Sequence, residues 1–312
     1  LYVNELNKDA LETYLINRDK HYPHLRNKFY SNDIKNVIYE KNFFTQLFKD
    51  LNDAFGRNFT EHTVDVVAGG PPCQGFSGIG IRRSYSVDKE QLPSNHLFQD
   101  MAFFIHKVKP KIFLFENVRG LMRSKWTSDG KKGEIFDEVL ETFRKIPNYD
   151  VKYKLVYAKD YGVPQNRPRV LVIGVRKDLN IKVIEDHDAL ENGFLPKPTN
   201  DYPNIEDVFS DLIDNKFEYG GTTKNYPSDP KNYWQEDIRK KFNSNKTFLK
   251  GDSLTEHQYS NHLDKIREKF SYMIKNKGEI PENFKTKKFA QRLLPREWDD
   301  KGPTITATSL PD

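Results

Sequence analysis

The stretch Thr63-Val-Asp-Val-Val-Ala-Gly-Gly-Pro-Pro-Cys-Gln-Gly-Phe-Ser77 decides how the first half of this chain folds. Its first six residues are mostly β-branched or small, and they stop at two glycines. This pattern is typical of a buried strand that enters a tight turn. In α/β folds, ligands bind in the loops beyond the carboxyl ends of such strands. The stretch therefore predicts a buried strand followed by a functional loop.

Two more apolar strands are predicted downstream, at Lys111–Phe115 and Arg169–Arg176. Apolar residues recur at helical spacing around the second strand. Before it they are Leu97, Met101, Phe104, Ile105 and Val108, and after it Ile135, Phe136, Val139, Leu140 and Phe143. Strands that alternate with helices at this rhythm predict an α/β fold with a parallel sheet and crossover helices.

The composition changes from about residue 178, where Asn, Asp, Lys, Pro and Tyr dominate and helical patterns become short. We divide the chain into a large domain over residues 1–177, a smaller loop-rich domain over 178–300 and a terminal segment over 301–312. Candidate helices of the second domain cover Ile205–Leu212 and Asn261–Ile274, and residues 220–230 are expected to be a loop throughout.

Composition excludes several classes of protein. The 312 residues include 50 Lys and Arg against 45 Asp and Glu, a net charge of +5 that permits a polyanionic partner without requiring one. No apolar run approaches the roughly 20 residues of a membrane span. A single cysteine excludes an intramolecular disulfide and a cysteine-rich metal site, and no other metal site is expected. With no visible signal peptide, the expected location is the cytoplasm.

That single cysteine, Cys73, lies in the functional loop, among Gly, Pro and Gln residues that are unusual for a packed core. Glu116 follows the second strand, so its carboxylate would emerge at the same sheet edge as Cys73. Glu116 is therefore a candidate general acid. Arg167 and Arg169 alternate at the start of the third strand, so they are expected to share one face. Three strand ends would thus bring a thiol, a carboxylate and two guanidinium groups to one edge.

Three short motifs carry a resemblance to the DNA cytosine-5 methyltransferase family: Pro72-Cys73-Gln74, Glu116-Asn117-Val118 and Gln165-x-Arg167-x-Arg169. Pro303-Thr-Ile-Thr306 resembles the segment by which that family's chain re-enters the catalytic domain. The resemblance implies a Rossmann-like S-adenosylmethionine-dependent sheet and a target-recognition domain at residues 178–300.

The resemblance also implies roles for individual residues. The Cys73 thiolate would add to carbon 6 of a flipped-out cytosine, Glu116 would protonate ring nitrogen 3, and Arg167, with Arg169 beside it, would hold the base. The cofactor S-adenosylmethionine would be bound by Glu5, Leu6, Asp33, Ile34, Pro72 and Leu97. Substrate contacts are assigned to Gln74, Ser77, Asn117, Gln165 and Thr306. The loop over residues 75–95 would close over the DNA.

Three of the family's segments have no counterpart in residues 1–312: the initial Phe-x-Gly-x-Gly loop, an Arg-x-Leu-Thr-x-Arg-Glu-like segment and the final Gly-Asn-Ser/Ala-Val-Pro-Pro segment. We therefore expect either a piece of a longer enzyme or one half of a split one, with a complementary chain that carries these cofactor segments. Such a chain alone should bind the cofactor poorly. The expected partners are double-stranded DNA and, in a bacterial restriction–modification system, a companion restriction endonuclease.

Two alternatives stay open from the sequence. One branch of the same family methylates cytosine in tRNA with the same residue set, although its recognition region is smaller than residues 178–300. A catalytically inert nucleic-acid-binding protein is the other alternative. The presence of Cys73, Glu116, Arg167 and Arg169 together argues against it, because a binding protein needs no nucleophile.

Overall fold

In the computed structural model, the second half of the Thr63–Ala68 stretch, with Gly69, forms the edge strand of a four-stranded sheet. The structure describes residues 1–72, 93–181, 195–196, 198–199, 201–241 and 244–285. These residues divide into two compact units, one made of residues 1–156 and 169–196 and the other of residues 157–168 and 197 onward. The assignment of a catalytic role to one and a recognition role to the other stays a prediction.

The first unit contains two sheets. A small parallel sheet pairs β1 (Val3–Asn4) with β2 (Tyr30–Ser31). The larger sheet has the order β3-β4-β6-β5, and its strands are β3 (Val66–Gly69), β4 (Ile112–Val118), β5 (Tyr149–Tyr157) and β6 (Pro168–Arg176). The predicted strands are therefore present, and β5 is an addition that the sequence analysis missed.

The expectation of a wholly parallel sheet was wrong. Strand β4 runs parallel to β3 but antiparallel to β6, with Ile112 opposite Val175 and Val118 opposite Arg169. Only residues 158–167, with one short 3₁₀ turn at Ala158–Tyr161, link β5 to β6. A parallel neighbour requires a longer crossover, usually a helix, whereas this short link turns the chain back beside β4.

The described residues of the first unit form five helices: α1 (Lys8–Arg18), α2 (Ile34–Tyr39), α3 (Phe43–Phe55), α4 (Leu97–Val108) and α5 (Glu134–Arg144). Helices α4 and α5 confirm the two predicted helical patterns. Their apolar faces cover the larger sheet and form a core with Phe113 and Phe115 of β4. Phe143 of α5 packs 5.3 and 5.2 Å, between ring centroids, from these two rings.

One glycine is required inside this sheet. Gly174 of β6 lies opposite Phe113 of β4, and a Cβ atom at Gly174 would come within 2.0 Å of the Phe113 ring. The absence of a side chain lets the ring lie against the backbone of the neighbouring strand.

The second unit is built from short helices and long turns. Its helices are α6 (Ile205–Phe209), α7 (Tyr233–Ile238) and α8 (Asp264–Lys275). A 3₁₀ turn at Ser210–Leu212 extends α6. Helix α8 overlaps the predicted helix at Asn261–Ile274 and ends one residue beyond it. Isolated bridges between Thr222 and Gln258 and between Asn225 and Ser253 interrupt the loop expected over residues 220–230.

Candidate active site

Side chains at the end of β4 alternate between the buried face and the partly exposed face of the sheet. Phe113, Phe115 and Asn117 face the buried side of the sheet, whereas Glu116 points to the opposite, partly exposed side. The strand period of two therefore places the carboxylate where a ligand can reach it and places the neighbouring amide in the core.

Glu116 is held by Arg169. The Arg169 Nε atom lies 2.5 Å from Glu116 Oε1, and the two side chains are 17% and 40% exposed. Arg169 pairs in register with Val118, so its side chain shares a face with Val118 and Glu116 and reaches the carboxylate diagonally across the two strands. The predicted meeting of a carboxylate and a guanidinium at one sheet edge is therefore present for this pair.

The Gly-Pro-Pro segment that precedes Cys73 passes directly beside this carboxylate. A Cβ atom at Gly70 would lie 3.1 Å from Glu116 Oε2, so a side chain there would crowd the acid. The buried Asn117 amide donates a hydrogen bond to the Pro71 carbonyl oxygen at 3.2 Å, and Asn117 Oδ1 accepts one from the Val118 amide at 2.9 Å. Asn117, which was assigned a substrate contact, thus anchors the loop from the protein interior.

Several predicted residues fall outside the described part of the chain. These are Cys73, Gln74, Ser77 and Thr306, together with most of the loop over residues 75–95 and all of residues 301–312. Pro72 is the last described residue before Cys73 and is exposed.

Gln165 and Arg167 precede β6 instead of lying in it. The Arg167 amide donates to the Gln165 carbonyl at 2.9 Å, and the Gln165 amide donates to Val163 at 2.7 Å. Each of these hydrogen bonds closes a three-residue γ-turn, and both turns end before the strand begins at Pro168. Arg167 thus lies just before the strand that holds Arg169, and the expectation that the two side chains share one face stays a prediction.

The predicted cofactor acids lie at the carboxyl ends of β1 and β2. Glu5 follows β1, and its Oε1 atom accepts a hydrogen bond from the Asn7 amide at 2.8 Å. Asp33 follows β2 and caps α2 by accepting from the Lys35 amide at 2.9 Å. Because Asn4 pairs with Ser31 in parallel register, both acids emerge at the same edge of the small sheet. Leu6, next to Glu5, leaves 69% of its surface exposed.

Asp100 of α4 is an additional acid that the sequence analysis missed. Burial raises its pKa, the Asp33 carboxylate raises it as well, and Lys35 and His96 act in the opposite direction. Asp100 lies one helical turn after Leu97, so the first turn of α4 faces the same region as Asp33. The signal that could have found it was the i, i+3 spacing from Leu97, a predicted cofactor contact.

Comparison with known proteins agrees with these motifs. The family model for C-5 cytosine-specific DNA methylases matches residues 27–304. The chain is 35% identical over 179 residues to the Type II methyltransferase M.DdeI of Desulfomicrobium norvegicum, covering 57% of this chain and 39% of that protein. It is 32% identical over 200 residues to M.BsuRI of Bacillus subtilis, covering 58% of this chain and 42% of that protein.

A third relative, the Type II methyltransferase M1.HphI of Haemophilus parahaemolyticus, is 41% identical over 128 residues, which cover 41% of this chain and 31% of that protein. The chain thus spans about two fifths of the length of the first two curated relatives. The family match nevertheless extends over most of the chain and includes both described units. This chain belongs to the C-5 cytosine-specific DNA methylase family.

Proposed function

We propose that this chain carries the catalytic centre of a DNA cytosine-5 methyltransferase of a restriction–modification system. The observation that carries the proposal is the contact of the Glu116 carboxylate with both Arg169 and the Gly70 turn. This turn leads within three residues to Cys73, the one cysteine of the sequence. An acid beside the loop of a nucleophile is the arrangement that attack on a pyrimidine ring requires.

The chemistry follows from the poor reactivity of carbon 5 in an aromatic ring. The Cys73 thiolate adds to carbon 6 of the cytosine, and the electron pair of the broken double bond makes carbon 5 nucleophilic. Glu116 donates its proton to nitrogen 3, so that negative charge does not build up on the ring. Arg169 keeps the Glu116 carboxyl group in place by its short contact. After transfer of the methyl group, a base removes the carbon 5 proton and the thiolate leaves.

S-adenosylmethionine, when bound, supplies the activated methyl group. The residue types at the edge of the small sheet suit this cofactor, because Glu5 can accept hydrogen bonds from ribose hydroxyls and the exposed Leu6 offers an apolar surface to a flat base. Asp33 and Ile34 lie at the neighbouring strand end, and Leu97 and Pro72 complete the proposed set.

Two strand edges of the first unit have no neighbouring strand among the described residues. The outer edges of β1 and β3 are unpaired among the described residues, and Val66 of β3 is 56% exposed although parallel strands are normally buried. Both strands pack on α4, through Tyr2 stacked 6.3 Å from Phe104 and through Gly69 against Met101. We infer that a strand from the same polypeptide or from a complementary chain pairs with these edges and completes the cofactor site.

Double-stranded DNA is the proposed substrate, because the target cytosine must leave the helix to reach a site at a sheet edge. The second unit is the proposed recognition domain, and its candidate contact segments are the loop over residues 217–226 and residues 232–234 at the start of α7. Phe217 and Tyr219 of the first loop are about half exposed, and Arg267 lies 4.4 Å from the centre of the Tyr219 ring. A companion restriction endonuclease belongs to the same proposal.

Transfer of a tritiated methyl group from S-adenosylmethionine to plasmid DNA and to tRNA tests the proposal. We expect label in DNA with the wild-type polypeptide and none with Cys73→Ser, because an alcohol is a far weaker nucleophile than a thiolate. Glu141→Gln, a change at an exposed ion pair with Lys145 on α5, is the matched control and should keep full activity. Label in tRNA alone would support the RNA alternative and contradict the proposal, as would label that persists in Cys73→Ser.

A further inference from the structure

The segment that connects β4 to α5 is strongly basic and begins directly after the Glu116-Asn117-Val118 motif. Residues 119–132, hereafter the basic segment, contain five cations and one acid, Asp129, for a formal charge of +4. The cations are Arg119, Arg123, Lys125, Lys131 and Lys132. All of them except the half-buried Lys125 are exposed.

Hydrogen bonds hold the basic segment in one conformation. The Glu134 carboxylate accepts from the amides of Trp126 and Lys131, at 2.6 and 3.0 Å. The Trp126 indole nitrogen donates to Glu138 at 2.8 Å, and the indole ring stacks on His96 at 4.9 Å between centroids. Two acids close to the segment are thus occupied with its backbone and its tryptophan.

This use of the acids leaves most of the cations without a carboxylate. Lys131 has only a 4.0 Å contact with Asp137, and Asp129 accepts from the Thr127 hydroxyl at 2.7 Å. Arg119, Arg123 and Lys132 form no ion pair within 4 Å among the residues that the structure describes. Exposed cations on a fixed backbone lose little backbone conformational entropy when they bind a polyanion. The favourable free energy of binding comes from the counterions that the polyanion releases.

The position of the basic segment fits one polyanion in particular. Arg119 follows Glu116 by three residues, so their Cα atoms are at most about 11 Å apart. Successive phosphates of one DNA strand advance about 3.4 Å along the helix axis, so two or three nucleotides span about 7–10 Å. A cytosine held at Glu116 therefore places phosphates of its own strand within reach of the basic segment.

We propose that the basic segment binds the DNA backbone beside the flipped cytosine, through Arg119, Arg123 and Lys132. This inference rests on the proposed function, since it assumes that DNA reaches Glu116. The contacts go to phosphates and not to base edges, so they position the duplex without reading its sequence. The basic segment thus supplies affinity, whereas the choice of target belongs to other residues.

The test measures binding of a fluorescently labelled mixed-sequence duplex as a function of salt concentration. The variant carries Arg119→Gln, Arg123→Gln and Lys132→Gln. Three lost phosphate contacts should reduce the slope of log K against log salt by about 2.7, since each contact contributes about 0.9. In methylation assays, the KM for DNA should rise while kcat at saturating DNA stays within about twofold, because no reacting group is changed.

The matched control removes three exposed cations of the same unit that lie in α3 or just after α1 and α3, with Lys20→Gln, Lys49→Gln and Arg57→Gln. This control should keep the wild-type slope, and circular dichroism should show both variants folded. Equal slope losses in both variants would overturn the inference in favour of diffuse attraction. An unchanged slope in the basic-segment variant, with salt-dependent binding by wild type, would overturn it and leave the proposed function standing. Wild type that binds no DNA would overturn both.

Discussion

At the scale of single residues, the site depends on pairs that sequence position does not reveal. Asn117 is the clearest case, since a motif residue assigned to the substrate is instead 3% exposed and bonded to the Pro71 carbonyl, 46 residues away in sequence. Gly70 is a second case, because the lack of a side chain leaves room for the Glu116 carboxylate. Asn117 thus fixes the position of Pro71, and Gly70 leaves space for Glu116. Neither residue touches the cytosine in the proposed chemistry.

Glu116→Gln tests the proposed proton donor at this scale. The amide keeps the size of the side chain but cannot deliver a proton to nitrogen 3, so we expect kcat to fall by about 10²–10⁴. Binding of DNA should change by less than tenfold. Single-turnover methylation with radioactive cofactor gives the rate, and an electrophoretic shift gives binding. A kcat within threefold of wild type would contradict the role of Glu116.

At the scale of the element, the direction of a strand determines which side chains meet at the site more than its amino-acid composition does. Strand β6 enters the sheet where β4 ends because it is antiparallel, and this puts Arg169 beside Val118. The missed strand β5 had a visible signal, since Tyr149, Val151, Tyr153, Leu155 and Tyr157 alternate with polar residues except at Val156. A strand so close before β6 already indicated that the two could not be joined by a crossover helix.

In the second unit, one buried ion pair joins two short elements. Arg239, just after α7, donates to both oxygens of Asp211 at 3.1 Å and to the Val208 carbonyl at 2.9 Å. The Asp211 side chain is fully buried. Helices of five and six residues are too short to be stable alone, so this pair, with the buried Gln235 that bonds Ser210, fixes α6 against α7.

Asp211→Ala should therefore destabilise the second unit by about 3–5 kcal/mol, because it leaves the Arg239 guanidinium buried without its partner. Hydrogen exchange of amides over residues 205–240 measures the local loss. Lys240→Gln, which breaks an exposed ion pair with Asp237, should cost less than about 1 kcal/mol. Similar protection in both variants would show that the buried pair does not hold α6 and α7 together.

At the scale of the whole molecule, two sheet edges carry the proposal that a further strand completes the cofactor site. The strands β1 and β3 present unpaired edges among the described residues, and α4 touches both. No helix in the described part of the chain is long and apolar enough to cross a membrane. The chain divides into two compact units, and the assignment of a catalytic and a recognition role to them stays a proposal.

We expect residues 1–312 alone to bind S-adenosylmethionine with a Kd weaker than about 100 μM, that is, with less than about 5.5 kcal/mol of binding free energy. The reason is that, in the proposed site, Glu5 and Asp33 after β1 and β2 serve the ribose and the adenine, while the methionine part depends on the proposed further strand. Calorimetric titration measures the affinity, with Glu5→Ala as the control. Micromolar binding that Glu5→Ala abolishes would contradict the need for this strand.

The sequence by itself determined the strands and helices with a clear period, such as β4, α4 and α5, and it contains the Cys73, Glu116 and Arg169 motifs on which the proposed chemistry rests. These features are local, because periodicity and short motifs depend on residues a few positions apart. Only the tertiary structure decided the direction of β6, the Glu116–Arg169 contact, the anchoring of Pro71 by Asn117 and the burial of Asp211 with Arg239. Each of these joins residues that lie 28 or more positions apart, and folding alone brings such residues into contact.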